Sequence, residues 1–191
     1  MRRTLTSLGL LVALAGHAFA DDSKLVKGVT LQDLQRIIAE EGYTINSTGD
    51  DGAVSVRATD TAGTGLIFNV LGTACDLEGY EPGCLGINMQ VRYDADGQES
   101  LERINDANLM WAATSAWYSA EGFGSAVPTV GITRYVILDG GMTIRNIKDN
   151  LLNLLAIAPQ VADYVWQTGT YAPGGAEEVV YDDEEYYDDE W

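Results

Sequence analysis

The amino-acid sequence predicts an α+β fold in which an antiparallel sheet is packed by helices. Apolar residues recur at helical spacing in three segments and alternate with polar residues in several shorter ones. The strand-like segments stand in runs, with helices between the runs rather than after every strand, which is typical of an antiparallel sheet. A nucleotide site of the kind found in open parallel sheets is therefore not expected.

The first and third predicted helices have clear start signals. Thr30 is expected to cap the first helix, with Asp33 completing a capping box, and Gly42 ends it. Thr143 is expected to cap the third helix, which Pro159 either kinks or ends. In both segments the apolar residues fall on one side of the helix, so each should pack against the sheet.

The second helix is expected to begin at an Asp96 cap and to run to about Ala120. Asn105 and Asn108 lie near its apolar face, where an amide needs hydrogen-bond partners. They are either clamps onto neighbouring backbone or contacts to a partner. The aromatic residues that would continue this helix are either core residues or part of an interface, namely Trp111, Trp117 and Tyr118.

Strands with one buried face are predicted before and after the second helix. Before it they cover residues 43–46, the segment around 54–56, residues 66–71 and residues 85–93. After it, alternating apolar residues predict a strand over residues 130–138. Turns are expected at 49–52 and 60–65, where glycine and aspartate cluster.

Residues 1–20 read as a secretory signal peptide. Arg2 and Arg3 precede an apolar stretch, and small residues at the end indicate cleavage between Ala20 and Asp21. A membrane anchor is the alternative, but the apolar run is shorter than the ~20 residues that span a bilayer. The sequence therefore predicts a periplasmic or secreted protein that is not inserted in a membrane after cleavage.

Export also bears on the two cysteines and the single histidine. In an oxidising compartment Cys75 and Cys84 are expected to form a structural disulfide, since Cys-x8-Cys is not a redox-motif spacing. Cleavage would remove His17, the only histidine, and with it the usual general base and the commonest zinc ligand. We predict no cofactor, no metal and no catalytic residues, although a pair of carboxylates could still serve an enzyme.

The chain is strongly acidic, with a formal net charge of −18. This charge repels nucleic acid and anionic lipid, so neither is an expected partner. The acidity is concentrated in residues 177–191, which hold nine carboxylates and no cation and should be disordered. We therefore divide the chain into a signal peptide (1–20), one α+β domain (21–170) and an acidic tail (171–191) that either aids solubility or attracts a basic partner.

Three motifs in a fixed order resemble one known family. They are Thr30-Leu31-Gln32-Asp33-Leu34 with Glu41-Gly42-Tyr43, the helix 100–108 with its Asn-x-x-Asn spacing, and Phe123-Gly124-Ser125-Ala126 followed by Asp139-Gly140-Gly141-Met142-Thr143. Over residues 28–158 the chain resembles the YbjN family of bacterial sensory transduction regulators. The resemblance implies a fold like that of type III secretion chaperones and a chaperone-like or regulatory interaction domain, without catalytic residues to carry over.

The resulting hypothesis is an exported, non-enzymatic domain that binds an unidentified protein, or a second copy of itself, through its sheet and second helix. The alternative is a carboxylate-dependent enzyme or a small-ligand-binding periplasmic protein. That alternative predicts a deep pocket lined by two acids or by Trp111, Trp117 and Tyr118.

Overall fold

The computed structural model describes residues 22–121 and 127–168. The predicted signal peptide, its cleavage site at Ala20 and Asp21, the motif 123–126 and the acidic tail lie outside the described residues. Within the described residues the α+β prediction is confirmed, since three helices accompany an antiparallel sheet. None of the helices among these residues combines the length and the apolar character that crossing a membrane requires.

Helices α1 (Leu31–Glu40) and α3 (Ile144–Trp166) begin as predicted. Thr30 Oγ1 accepts a hydrogen bond from the Asp33 N–H at 3.2 Å, and the Asp33 carboxylate accepts one from the Thr30 N–H at 3.0 Å. Thr143 caps α3 through a 3.1 Å bond from the Asn146 N–H. The prediction that Pro159 could end α3 is wrong, because Val161 and Val165 continue the buried stripe and hold the helix together beyond it.

Helix α2 (Leu101–Met110) differs from its prediction at both ends. Its cap is Ser100 and not Asp96, whose carboxylate accepts hydrogen bonds from the Gln98 N–H at 3.0 Å and the Trp166 indole at 3.1 Å. The predicted continuation to Ala120 is also wrong. The chain leaves the helix at Trp111 and forms a strand over Ser115–Ser119, where aromatic residues suit a sheet.

The strands form two antiparallel sheets. A short sheet pairs β1 (Leu25–Val26) with β8 (Met142–Thr143). The main sheet has the order β2-β3-β4-β5-β7-β6. Its strands are β2 (Thr44–Thr48), β3 (Ser55–Thr59), β4 (Ile67–Cys75), β5 (Cys84–Asp94), β6 (Ser115–Ser119) and β7 (Thr129–Ile137).

The hydrophobic core lies between one face of the main sheet and the three helices. Alternate strand residues are buried on that face, which confirms the prediction of strands with one buried face. Its largest members include Leu34, Ile38, Phe68, Ile87, Met89, Ile132, Leu151 and Leu154.

Cys75 and Cys84 are opposite each other on β4 and β5 and form a disulfide, as predicted. The bond closes the loop 76–83, and the buried Cys84 also pairs through its backbone with Val29 at 3.0 and 2.8 Å. The disulfide thereby fixes the turn of this hairpin against the segment that precedes α1.

A cluster around Lys148 joins the N-terminal segment to α1 and α3. The Lys148 ammonium, which is buried, lies 2.9 Å from Asp22, 3.0 Å from Glu40 and 3.5 Å from Glu41. Burial opposes its charge, but hydrogen bonds to Asp22 and Glu40 prevail and raise the pKa of Lys148. Lys148 thus attaches Asp22, the first described residue, to helix α3.

Candidate interaction surface

The face of the main sheet opposite to the helices is polar and partly exposed, and we call it the open face. Directly paired residues of an antiparallel sheet point to the same side, so the register arranges the open face in rows. The rows are Arg57-Asn69-Gln90-Thr133-Ser115, then Arg92-Gly131-Trp117, then Ser55-Leu71-Asn88-Tyr135.

The open face is cationic although the chain is acidic. Arg57 and Arg92 lie in adjacent rows on β3 and β5, whereas Asp94 at the end of β5 is the one acid among the described strand residues on this face. With a net charge of −18 for the whole chain, this distribution is a local reversal of sign. A ligand that approaches the open face therefore meets guanidinium groups first.

Arg92 is held flat along its own strand. Its Nε and Nη2 donate to Gln90 Oε1 at 2.9 and 2.5 Å, and Gln90 is itself buried. Burial, followed by repulsion from Arg57, lowers the pKa of Arg92 from its ordinary value. The two like charges oppose each other, so an anion placed between them would relieve this repulsion.

Trp117 lies over Gly131 in the neighbouring strand. A side chain on Gly131 would collide with the indole ring, so the glycine allows the ring to rest on the backbone. The indole Nε1 donates to Thr133 Oγ1 at 3.0 Å, and that hydroxyl donates to the Ser115 carbonyl at 3.0 Å. These contacts fix an aromatic surface beside Arg92 on the open face.

The third row of the open face combines an exposed ring with an unsatisfied acceptor. Tyr135 is 55% exposed, and its hydroxyl shares a 2.7 Å hydrogen bond with Thr73 Oγ1. Beside it, Asn88 Oδ1 is buried and has no hydrogen-bond partner in the described part of the chain. A buried acceptor without a donor lowers the stability of the fold, and because this atom is shielded from solvent it is not available to a ligand on the open face.

The two asparagines singled out on α2 have different roles. Asn108 Nδ2 donates to the Ile104 and Ala116 carbonyls, both at 3.1 Å, and Asn108 Oδ1 accepts from the Ala116 N–H at 2.7 Å. Its amide therefore pairs with the outer edge of β6 as a neighbouring strand would, which is the clamp interpretation. Asn105 is exposed on the outer side of α2, so the prediction that it lies near the apolar face of the helix is wrong.

The three aromatic residues do not continue α2 and do not meet in a pocket. Trp111 is 8% exposed and packs in the core against Tyr164, with ring centroids 5.7 Å apart. Trp117 and Tyr118 are consecutive in β6, so they lie on opposite sides of the sheet. The predicted pocket lined by these three residues is therefore wrong, and of the three only Trp117 belongs to the open face.

Three aspartates line one cavity, and each of them lies in a turn or a loop. A cavity of 540 Å³ includes Asp50, Asp51 and Asp76 in its lining. The Asp76 carboxylate accepts from the Gly83 N–H at 3.0 Å, which closes the disulfide loop, and Asp51 adopts a positive φ of 53° in the β2–β3 turn. Among the described residues, no three histidine, cysteine or acidic side chains gather as a metal site would need.

No protein-family model and no curated protein sequence matches the chain. Among solved structures, the chain is similar to the crystal structure of YbjN from E. coli, which is described as a proposed transcription regulator. The similarity has a TM-score of 0.48 and 11% sequence identity, and it covers 71% of this chain and 95% of that one. At 11% sequence identity this likeness concerns the fold alone.

Proposed function

We propose that this protein is a non-enzymatic interaction domain whose open face binds a segment of another protein. The observation that carries the proposal is the combination of groups on that face. Two guanidinium groups, an exposed tyrosine and a fixed indole ring lie on one surface of the main sheet, on strands β3, β5, β7 and β6. These groups supply hydrogen-bond donors and aromatic surface, and they include no carboxylate pair for acid–base catalysis.

The charge on the open face favours a partner segment that carries carboxylates. Guanidinium groups bind carboxylates through charge-assisted hydrogen bonds, and an aromatic ring beside them adds contact area. A basic partner, as the acidic tail suggests, would have to bind elsewhere. A symmetric homodimer through this face would bring Arg57 and Arg92 of both copies into one interface, which like-charge repulsion disfavours.

We also propose that the domain works outside the cytoplasm, in the periplasm or after secretion. The Cys75–Cys84 disulfide supports this location, because such bonds persist in oxidising compartments. The signal-peptide pattern of residues 1–20 supports it independently.

Site-specific photo-crosslinking in the producing cells tests the proposed function. A photoreactive phenylalanine is placed at Tyr135 on the open face, and a matched probe is placed at Leu109, which is 78% exposed on α2. We expect a recurring protein adduct from position 135 and none from position 109. The combined charge reversals Arg57→Glu and Arg92→Glu should abolish the adduct, whereas the control Arg145→Glu on α3 should leave it unchanged. Equal adducts at both positions, or insensitivity to the two reversals, would contradict the proposal.

A further inference from the structure

We infer that the open face binds the chain's own C-terminal acidic segment, residues 177–191, and is thereby shielded from its partner. This inference rests on the proposed function of the open face and adds its regulation.

Charge complementarity is the first argument. Residues 177–191 hold nine carboxylates and no cation, and their aromatic residues are Tyr181, Tyr186, Tyr187 and Trp191. The open face offers the opposite composition, since Arg57 and Arg92 dominate its charge and Trp117 supplies a ring surface. The rest of the chain still carries a formal net charge of −9 and repels this segment, so the open face is where it meets least opposition.

The end of α3 supplies the second argument. Trp166, the last residue of that helix, packs against Tyr93 with ring centroids 5.7 Å apart, and its indole nitrogen bonds Asp96 at 3.1 Å. Tyr93 follows Arg92 directly in β5. Tyr93 points to the helix-packed side of the sheet and Arg92 to the open face. The chain therefore leaves α3 on the helix side, at the end of β5 that carries Arg92, and reaches the open face by passing around that end of the sheet.

Chain length allows the contact. Eight residues, 169–176, lie between Thr168 and Glu177, and the extended chain reaches about 30 Å between these two residues. The six strands of the sheet span about 24 Å, whereas the fifteen residues 177–191 reach about 50 Å, so one extended segment can cross the open face.

Docking in this position would make the segment a competitor of the partner. A partner segment with carboxylates uses the same guanidinium groups, so it must displace the chain's own segment first. The apparent affinity for the partner then falls by the fraction of molecules in which the face is covered.

The test uses the full chain with a photoreactive phenylalanine in place of Tyr186, and peptide mapping locates the crosslink. We expect intramolecular adducts on open-face strands, with a yield lowered about tenfold by Arg57→Glu together with Arg92→Glu and unchanged by Arg145→Glu. A second variant converts the nine acids of residues 177–191 to amides and leaves the folded domain untouched. It should lower the yield by a similar factor, as should an increase of salt from 0.1 to 1 M, which shortens the screening length from about 10 to about 3 Å.

Adducts on the helices, no adducts, or yields insensitive to these charges would overturn the inference. An equal mixture of isotopically heavy and light protein separates the routes, and mixed adducts would overturn docking within one chain. The Tyr135 probe distinguishes the two proposals. If the segment covers the face, its amide variant should raise the partner adduct at position 135. If that adduct is present but unchanged, the inference fails and the proposed function stands; if no position-135 adduct forms with either variant, the proposed function fails.

Discussion

Asn108 gives a sharp test of the structure, because its neighbour Asn105 is a matched control on the same helix. The side chain of Asn108 takes part in three hydrogen bonds, two as donor at 3.1 Å and one as acceptor at 2.7 Å. Asn108→Ala removes all three and leaves the Ala116 N–H and C=O without a protein partner. The Asn105 side chain is exposed and forms no hydrogen bond with the described residues.

The expected cost follows from these contacts. Each hydrogen bond contributes about 0.5–1.5 kcal/mol net, and water can reach part of the β6 edge once the amide is gone. We therefore expect Asn108→Ala to lower the free energy of unfolding by about 2 kcal/mol, and Asn105→Ala to change it by less than about 0.5 kcal/mol. In a domain of this size, about 2 kcal/mol corresponds to a fall in Tm of about 4 to 8 °C.

Urea unfolding, followed by circular dichroism, measures both variants. Asn108→Asp adds a discriminating case, because a carboxylate still accepts from the Ala116 N–H but repels the Ile104 and Ala116 carbonyls. It should be at least as destabilising as the alanine variant at neutral pH. Equal stability of the Asn108→Ala and Asn105→Ala variants would refute the assignment of Asn108 as the group that closes the sheet edge.

Three further predictions concern other parts of the fold. Burial, followed by repulsion from Asp163, raises the pKa of Tyr93 to about 12, compared with 10 in the unfolded chain. Because the folded state holds this proton more tightly, the free energy of unfolding should fall as the pH rises from about 10 to 12. The Tyr93 hydroxyl is also buried without a hydrogen-bond partner among the described residues. Tyr93→Phe should therefore leave the stability at pH 7 unchanged or raise it, and it should flatten the decline at alkaline pH. An equal or steeper decline in urea melts over this pH range would contradict the assignment. Gly131→Ala forces the Trp117 indole off the strand, so we expect the free energy of unfolding to fall by about 1–3 kcal/mol. The tryptophan emission should also shift, whereas the control Ala53→Gly in the β2–β3 turn should leave it unchanged. Replacing both Cys75 and Cys84 by alanine opens a short loop and should lower the free energy of unfolding by about 2 to 3 kcal/mol relative to the oxidised wild type. Reduction of the wild type should have a similar effect, and an oxidised wild type no more stable than its reduced form would argue against the bond.

Local sequence signals predicted the elements whose causes are local. The Thr30 capping box and the Thr143 cap depend on residues within one helical turn, and both are present. The predicted Asp96 cap is wrong, although Asp96 and Ser100 both belong to residue types that cap helices. The Asp96 carboxylate instead accepts a hydrogen bond from the indole of Trp166, 70 residues away, and a short sequence window does not show that contact.

The errors around β6 have the same origin. Residues 111–118 suit helical spacing, yet Ser115–Ser119 gain more by pairing with β7 and by the bond from Asn108, and neither contact is visible in a short window. The open face could not be predicted from the sequence for a related reason. The sequence predicts that β3 and β5 each have a polar side, but only the register through β4 brings Arg57 and Arg92 into adjacent rows.

The attachment of the N-terminal segment determines when this protein can finish folding. Strand β1 pairs with β8, the carbonyls of Asp22 and Lys24 accept from the first turn of α3, and the ammonium that neutralises Asp22 is 126 residues further along the chain. When the chain is synthesised or transported with its N-terminus first, residues 22–26 therefore lack their partners until α3 has followed. Contacts between distant parts of a chain form slowly because loop closure must come first. The segment next to the predicted cleavage site therefore stays without its native partners, and accessible, until residues 142–148 have been made or transported.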